Sequence, residues 1–342
     1  QWSSSAASDV YKRQGFTEGY LKNYWNTDDI NNLMDLISKN YNSFEKVNSG
    51  YGFWKIIDKI NHLKNTNSLS GSKKNIHAHY DLGNDFYSKW LDETMTYSSA
   101  FFIENENKLE NAQTSKYQLI LDSLDLPIGS TILEIGCGWG GFLEHASRKG
   151  YKVKGITISQ EQYKFASERI QNLPNRPEIE LIDYRNLEDK FDAVVSIEMF
   201  EAVGSAYWET YFNKIREVLK PNGKAIIQTI IMKEDYYEGY HDWPDFIQTY
   251  IFPGGELSSD KVFKKIASQS NLDASGVTTM ANSYAKTLEI WFNNFQQKWS
   301  EINEIGFDDK FKRTWEMYLA YCRGGFLNGQ LDVVQYKLTH KS

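Results

Sequence analysis

Two cysteines, Cys137 and Cys322, are all that 342 residues contain. No disulfide framework holds such a chain, and a reducing, cytoplasmic compartment suits it. Long apolar runs are missing as well: none approaches the 18 or more residues of a membrane-crossing helix. The opening, QWSSSAASDVYKRQ, lacks a methionine and the basic-then-apolar order of a signal peptide. Residues 1–14 are therefore expected to be a disordered or non-native leader outside the fold. Positive charge is in deficit too. Thirty-eight Lys and Arg against 45 Asp and Glu leave a net charge of −7, which argues against nucleic acid as the main partner. No metal site is expected.

What the chain has instead is aromatic surface, 15% of its residues. A well-packed core accounts for such a content, and so does an enzyme handling a greasy or cationic intermediate. The most informative segment is LEIGCGWGGF, residues 133–142. It reads as a short apolar strand running into a glycine-rich turn and then a helix. Gly136, Gly138 and Gly140 let the backbone bend and lie close against a ligand, because no Cβ intervenes. Glu134 stands two residues ahead of the turn, where an acid suits a cationic, hydroxyl-rich cofactor better than a bare pyrophosphate. That points to S-adenosylmethionine. The competing reading is a dinucleotide site, since Gly136, Gly138 and Gly141 also satisfy G-x-G-x-x-G. A dinucleotide site wants an acid at the end of the second strand, and KVKGITIS ends on Thr157 and Ser159.

From about residue 130 the pattern alternates. TILEIG, KVKGIT, IELI, FDAVVSI and KAIIQTII are β-rich apolar runs, most of them separated by helical patterns. The alternation predicts an α/β fold: a doubly wound, mostly parallel sheet with ligands at the carboxyl ends of its strands. Gly136, Thr157, Asp183, Glu198 and Glu201 all fall at such ends. Beyond residue 255, three helical segments and a last strand, DVVQYKLTH, are expected. Ahead of the sheet, residues 15–75 read as polar and helical. Within them, Phe53, Ile56, Ile57, Ile60 and Leu63 recur at helical spacing, and Lys55, Lys59 and Lys64 stand against one acid, Asp58. That segment suits either an anionic membrane surface or a helix packed on its own domain with solvated lysines. Residues 65–75 read as a linker.

These segments, with HYDLGNDFYSKWLDETMTYSSAFF (79–102), GITISQEQ (155–162), FDAVVSIEMFEAVG (191–204), FIQTYIFPGGELSS (246–259), SYAKTLEIW (283–291) and YLAYCRGGF (318–326), make the chain resemble the cyclopropane-fatty-acyl-phospholipid synthases and the related mycolic acid cyclopropane synthases. The resemblance covers about residue 16 to 342. It implies a Rossmann-like class I methyltransferase domain over 76–342, preceded by the remnant of a truncated helical N-terminal domain. It also implies methylene transfer from S-adenosylmethionine to a cis double bond of a membrane phospholipid acyl chain, at the inner face of the membrane. The oligomeric state, including a homodimer, stays open.

By motif, Tyr97 and Ser98 are expected along the methionine part of the cofactor, with Glu134, Gly136 and Gly138 nearby. Thr157 and Gln162 are expected at its ribose, and Tyr184 and Arg185 at its adenine. The resemblance further implies a bound bicarbonate as the base, held by Glu201, Tyr284, Ser99, Gln228 and the backbone of Ile230. Two of these depart from many members, which carry Cys at Ser99 and His at Gln228. Both replacements keep hydrogen-bonding capacity, but Gln cannot titrate. Loss of an acid-base role there favours a rival outcome: simple methylation to a methyl-branched chain or of another small substrate. A non-catalytic lipid-binding module is the more distant rival. Cys322 matches a family cysteine for which packing is the expected role. Phe200, Tyr250, Phe252, Tyr284 and Trp291 are candidates to face a carbocation.

Overall fold

In the computed structural model, residues 16–41, 82–238, 240 and 245–341 are described. The leader, the basic amphipathic segment 53–63 and the linker lie outside them. Eight strands form one sheet: β1 Thr131–Ile135, β2 Lys152–Thr157, β3 Glu178–Leu181, β4 Phe191–Ile197, β5 Leu219–Met232, β6 Ser258–Ser259, β7 Leu272–Thr279 and β8 Leu331–His340. Their order is β3-β2-β1-β4-β5-β8-β7, with β6 pairing the end of β5. β1 through β5 run parallel. β8 is antiparallel to both neighbours.

β1 and β4 are apolar because both their faces are covered, as parallel strands require. Helix Gly141–Arg148 covers the sheet with Phe142, Leu143 and Ala146, and Gly155 on β2 makes room for it. A Cβ there would meet Leu143 Cδ1 at 2.7 Å and Cys137 Cβ at 2.9 Å. Helix Gln160–Ile170 starts where Ser159 accepts a hydrogen bond from the Gln162 N–H, as an N-cap should.

The sequence reading misses β7. This edge strand buries little beyond Leu272 and carries no apolar alternation, and its register shifts between Gly276 and Thr278. Its strand character comes from pairing with β8 rather than from its own residues.

A second core holds much of the aromatic content. Helices Ala281–Gln297 and Asp309–Leu327 pack together and bring Trp291 and Trp315 against Trp90, Phe86 and Tyr97. Residues 16–41 dock on this layer. Helix Ile30–Lys39 lies on Asp309–Leu327, where Arg323 pairs with Asp35 at 2.8 Å and the Ser38 hydroxyl donates to the Gly324 carbonyl at 2.9 Å. The Arg313 guanidinium sits 3.8 Å above the Tyr20 ring.

Gly324 permits this approach, since its Cβ would stand 3.1 Å from the Met34 carbonyl oxygen. Gly324→Val is expected to cost about 1–3 kcal/mol. It should also open residues 16–41 to limited proteolysis before the rest of the chain unfolds. A variant with the parent's melting temperature and cleavage pattern would contradict this docking.

Candidate active site

The first three glycines of the turn after β1 all adopt left-handed backbone: φ is +78° at Gly136, +53° at Gly138 and +84° at Gly140. Their surroundings differ. A Cβ on Gly136 would strike Met199 Cγ at 2.7 Å, so that glycine serves internal packing. A Cβ on Gly138 would meet nothing within 4 Å, so that position opens onto free space. Beneath it, Glu134 is buried and its Oε2 has no hydrogen-bond partner. Burial holds its carboxyl well above the usual range, against the opposing charges of Lys116 and Arg169. An open cradle beside an orphaned acid fits S-adenosylmethionine, whose amino group can satisfy that oxygen.

Along the neighbouring strand ends the expected residues take these positions. Ser98 is buried, its hydroxyl accepting from Lys116 Nζ at 2.6 Å and its carbonyl from Gln113 Nε2 at 3.0 Å. Tyr97 sits among Trp90, Trp291 and Phe252, its hydroxyl 2.8 Å from that of Tyr318. Thr157 Oγ1 donates to Gln162 Oε1 at 3.0 Å. Tyr184 packs edge-on against Tyr211, and the Arg185 guanidinium forks onto Asp183, with Nε–Oδ1 at 2.8 Å and Nη2–Oδ2 at 2.7 Å.

Two carboxyls stand after β4. Glu198, at φ +49°, donates its backbone N–H to the Gln228 carbonyl at 2.7 Å. Its Oε1 accepts from the Ser99 backbone N–H at 2.8 Å and from Gln228 Nε2 at 2.8 Å, and Tyr284 lies within electrostatic reach of the side chain. Gln335 Nε2 donates to Gln228 Oε1 at 3.0 Å, which turns the Gln228 amide toward Glu198. Glu201 Oε1 accepts from the Ile230 N–H at 2.5 Å and from the Thr229 hydroxyl at 3.0 Å, while its buried Oε2 has no partner. Burial and the nearby charge of Glu198 push the Glu201 carboxyl up to about 8. Glu198 is also raised by burial, but Lys116 and its hydrogen bonds pull it back. The two acids titrate as a coupled pair, and the balance of causes favours protonation of Glu201 first.

This arrangement corrects the expected anion site. The Ser99 N–H and the Gln228 amide donate to Glu198, not to Glu201, and the Ile230 N–H donates to Glu201. The Ser99 hydroxyl itself turns away, donating to the Ala100 carbonyl at 2.9 Å. The residues therefore do not fit bicarbonate. A carboxylate of the chain already holds its donors, and two like charges about 4 Å apart repel by roughly 4 kcal/mol at an effective dielectric near 20.

Of the aromatic candidates, Phe252, Tyr284 and Trp291 remain. Tyr284 and Trp291 meet at 6.0 Å, and Tyr97 joins Trp291 at 5.4 Å and Phe252 at 6.4 Å. Phe200 instead belongs to the core beneath the sheet ends, packed on Trp208, Phe212 and Phe263. Tyr250 is 39% exposed, too wet for a desolvated ring face. Burial and Asp245 keep the Cys322 thiol protonated, in keeping with packing.

Lys116, Thr229 and Gln335 escape the sequence reading of the site, and Glu198 is placed there at a strand end but given no role. For Glu198 a signal existed: an acid three residues before Glu201, in a chain that carries Gln at 228.

The sheet order, the glycine cradle and the strand-end acids define a class I methyltransferase fold. The chain belongs to the mycolic acid cyclopropane synthetase family, whose model matches residues 67–336. It is 34% identical over 334 residues to the tuberculostearic acid methyltransferase UfaA1 of Mycobacterium tuberculosis, covering 95% of this chain and 78% of that protein. It is 39% identical over 249 residues to the cyclopropane-fatty-acyl-phospholipid synthase of Escherichia coli, covering 72% of this chain and 63% of that one. Among solved structures, the mycolic acid cyclopropane synthase CmaA1 complexed with SAH and CTAB superposes with a TM-score of 0.73 at 30% identity, over 78% of this chain and 97% of that one.

A carboxyl protonated in the fold and ionised in the unfolded chain weakens the fold as pH rises. For Glu201 the window runs from the ordinary 4.5 to about 8. Stability from this group is complete below 4.5 and lost toward 8, at no more than about 1.4 kcal/mol per pH unit. Glu201→Gln should therefore gain stability relative to the parent between pH 5 and 8, measured by denaturant melts. A difference that stays constant across that range would show that Glu201 is ionised throughout.

Proposed function

We propose that this chain transfers a one-carbon unit from S-adenosylmethionine to a cis double bond of an unsaturated phospholipid acyl chain, closing a cyclopropane ring. The observation that carries the reading is the contact between base and rings. Tyr284 lies within electrostatic reach of Glu198 and packs edge-on against Trp291, so proton removal and cation-tolerant surface adjoin. Membership of the family and the names of its relatives support it.

S-adenosylmethionine supplies an electrophilic methyl group. In this reading Glu134, Gly136 and Gly138 seat its methionine end with Tyr97 and Ser98. Thr157 and Gln162 meet the ribose, and Tyr184 and Arg185 border the adenine. An isolated alkene is a weak nucleophile, so the chain's task is placement, which can contribute about 7–11 kcal/mol. The second task is to keep water from the cationic carbon chain while the rings of Trp291, Phe252 and Tyr284 face it. Each desolvated ring face is worth up to about 2 kcal/mol. The third is to take a proton away at the acid pair. The acceptor reaches the site from an anionic phospholipid surface, and the lysines at 55, 59 and 64 suit that docking.

A second reading is a methyl-branched product. It is favoured by the likeness to the tuberculostearic acid methyltransferase over 95% of this chain. Proton NMR of the product from unsaturated phospholipid and labelled cofactor separates the two, because proton loss from the methylated cation gives either a ring or an isomeric branched alkene of equal mass, and a saturated branch needs an added hydride donor. Ring methylene signals support the proposal, and olefinic signals of a branched chain replace it. For the cofactor site, Gly138→Val is expected to abolish S-adenosylmethionine binding by calorimetry while leaving the circular dichroism spectrum unchanged. Unchanged affinity in the folded variant would remove Gly138 from the site.

A further inference from the structure

We propose that Glu198 is the base of this enzyme, a carboxylate of the chain itself standing where a bound external anion would otherwise act. The inference rests on the lipid-modifying reading above and adds the residue that takes the proton. Two donors from separate parts of the fold converge on this one side chain. The Ser99 N–H comes from the loop after helix Asn84–Trp90 and the Gln228 amide from β5, while Tyr284 on helix Ala281–Gln297 stands within electrostatic reach. Gln335 on β8 fixes the Gln228 amide in the donating orientation.

The backbone supports the assignment. Glu198 keeps a left-handed φ of +49°, which a glutamate adopts at a cost, and such strain persists where the surroundings over-determine it. The other groups facing the site do not compete for the role. Glu201 is turned onto the Ile230 N–H and the Thr229 hydroxyl and is the acid whose carboxyl is pushed up to about 8, Lys116 is a cation, and Gln228 does not titrate. Lys116 and the two donors favour negative charge on Glu198.

The step balances without any further reactant. Methyl transfer breaks the sulfonium carbon–sulfur bond, forms a carbon–carbon bond and leaves the neighbouring alkene carbon cationic. Glu198 then accepts one proton from the transferred methyl. The electron pair of that C–H bond forms the third side of the ring, and the neutral Glu198 later returns its proton to solvent. Per turnover one sulfonium and one alkene give one thioether, one cyclopropane and one proton.

The test titrates ¹³C-labelled bicarbonate into the parent and into Glu198→Gly by NMR, and measures turnover in carbon-dioxide-free buffer with and without added bicarbonate. Glycine accepts the left-handed backbone, so the variant should fold. The parent is expected to bind no bicarbonate and to keep its full rate without it. Glu198→Gly should bind the label and lose about 10²-fold in turnover, the usual scale for a positioned base. Added bicarbonate should restore part of that rate. Glu198→Gln should lose a similar factor with S-adenosylmethionine affinity unchanged. Bicarbonate binding to the parent, slowing of the parent on depletion, or a full rate in Glu198→Gly without bicarbonate would each overturn the assignment. If the parent modifies no lipid at all, the reaction reading fails. The bicarbonate titration, which needs no lipid, still decides whether Glu198 fills the anion site.

Discussion

Two half-buried carboxyl groups three residues apart after one strand are not both ionised readily without a counter-charge for each. Each acid accepts two hydrogen bonds, Glu198 from the Ser99 N–H and the Gln228 amide and Glu201 from the Ile230 N–H and the Thr229 hydroxyl, while the positive charge of Lys116 acts on Glu198. The placement of that cation favours negative charge on Glu198 over Glu201. Much of the surrounding structure serves this arrangement. β5 offers Gln228, Thr229 and the Ile230 N–H in succession, β8 orients Gln228 through Gln335, and the two long C-terminal helices bring Tyr284 down from above the sheet.

The sheet topology explains why these groups meet. Parallel strands place their carboxyl ends on one edge, so β1, β2, β4 and β5 deliver a glycine cradle, a hydroxyl–amide pair and the acid pair to a common rim. The antiparallel β8 brings Gln335 opposite Gln228. The aromatic layer adds what the sheet cannot. It is a continuous set of rings from Trp90 through Tyr97 and Trp291 to Tyr284 beside the rim. The high aromatic content thus has two uses at once, core packing and lining, and the same rings serve both.

The relatives show how far one scaffold is shared among outcomes. A tuberculostearic acid methyltransferase, a cyclopropane-fatty-acyl-phospholipid synthase and a mycolic acid cyclopropane synthase all align with this chain at 30–39% identity. The same first bond can lead to a ring or a branch. The fate of the cation is decided by which proton leaves and by what accepts it, so a change of acceptor at the acid pair is where such a scaffold can diverge.

The sequence by itself determined the doubly wound sheet, because alternating apolar runs and helical patterns leave few other ways to cover a parallel strand on both faces. It also located the cradle, since a glycine-rich turn after a strand carries its own backbone requirement, and it assigned Glu201 to a strand end. It did not determine β7, whose residues have no strand pattern apart from β8. Nor could it tell that Phe200 points into the core while Trp291 faces Tyr97, since helical spacing does not say which partner fills each face. Above all, it could not assign the donors. Ser99 and Gln228 are far apart in the chain, and only the tertiary structure brings them to Glu198 rather than to Glu201. Which of two neighbouring acids keeps its charge is a matter of desolvation and convergent hydrogen bonds, and those exist only once the chain has folded.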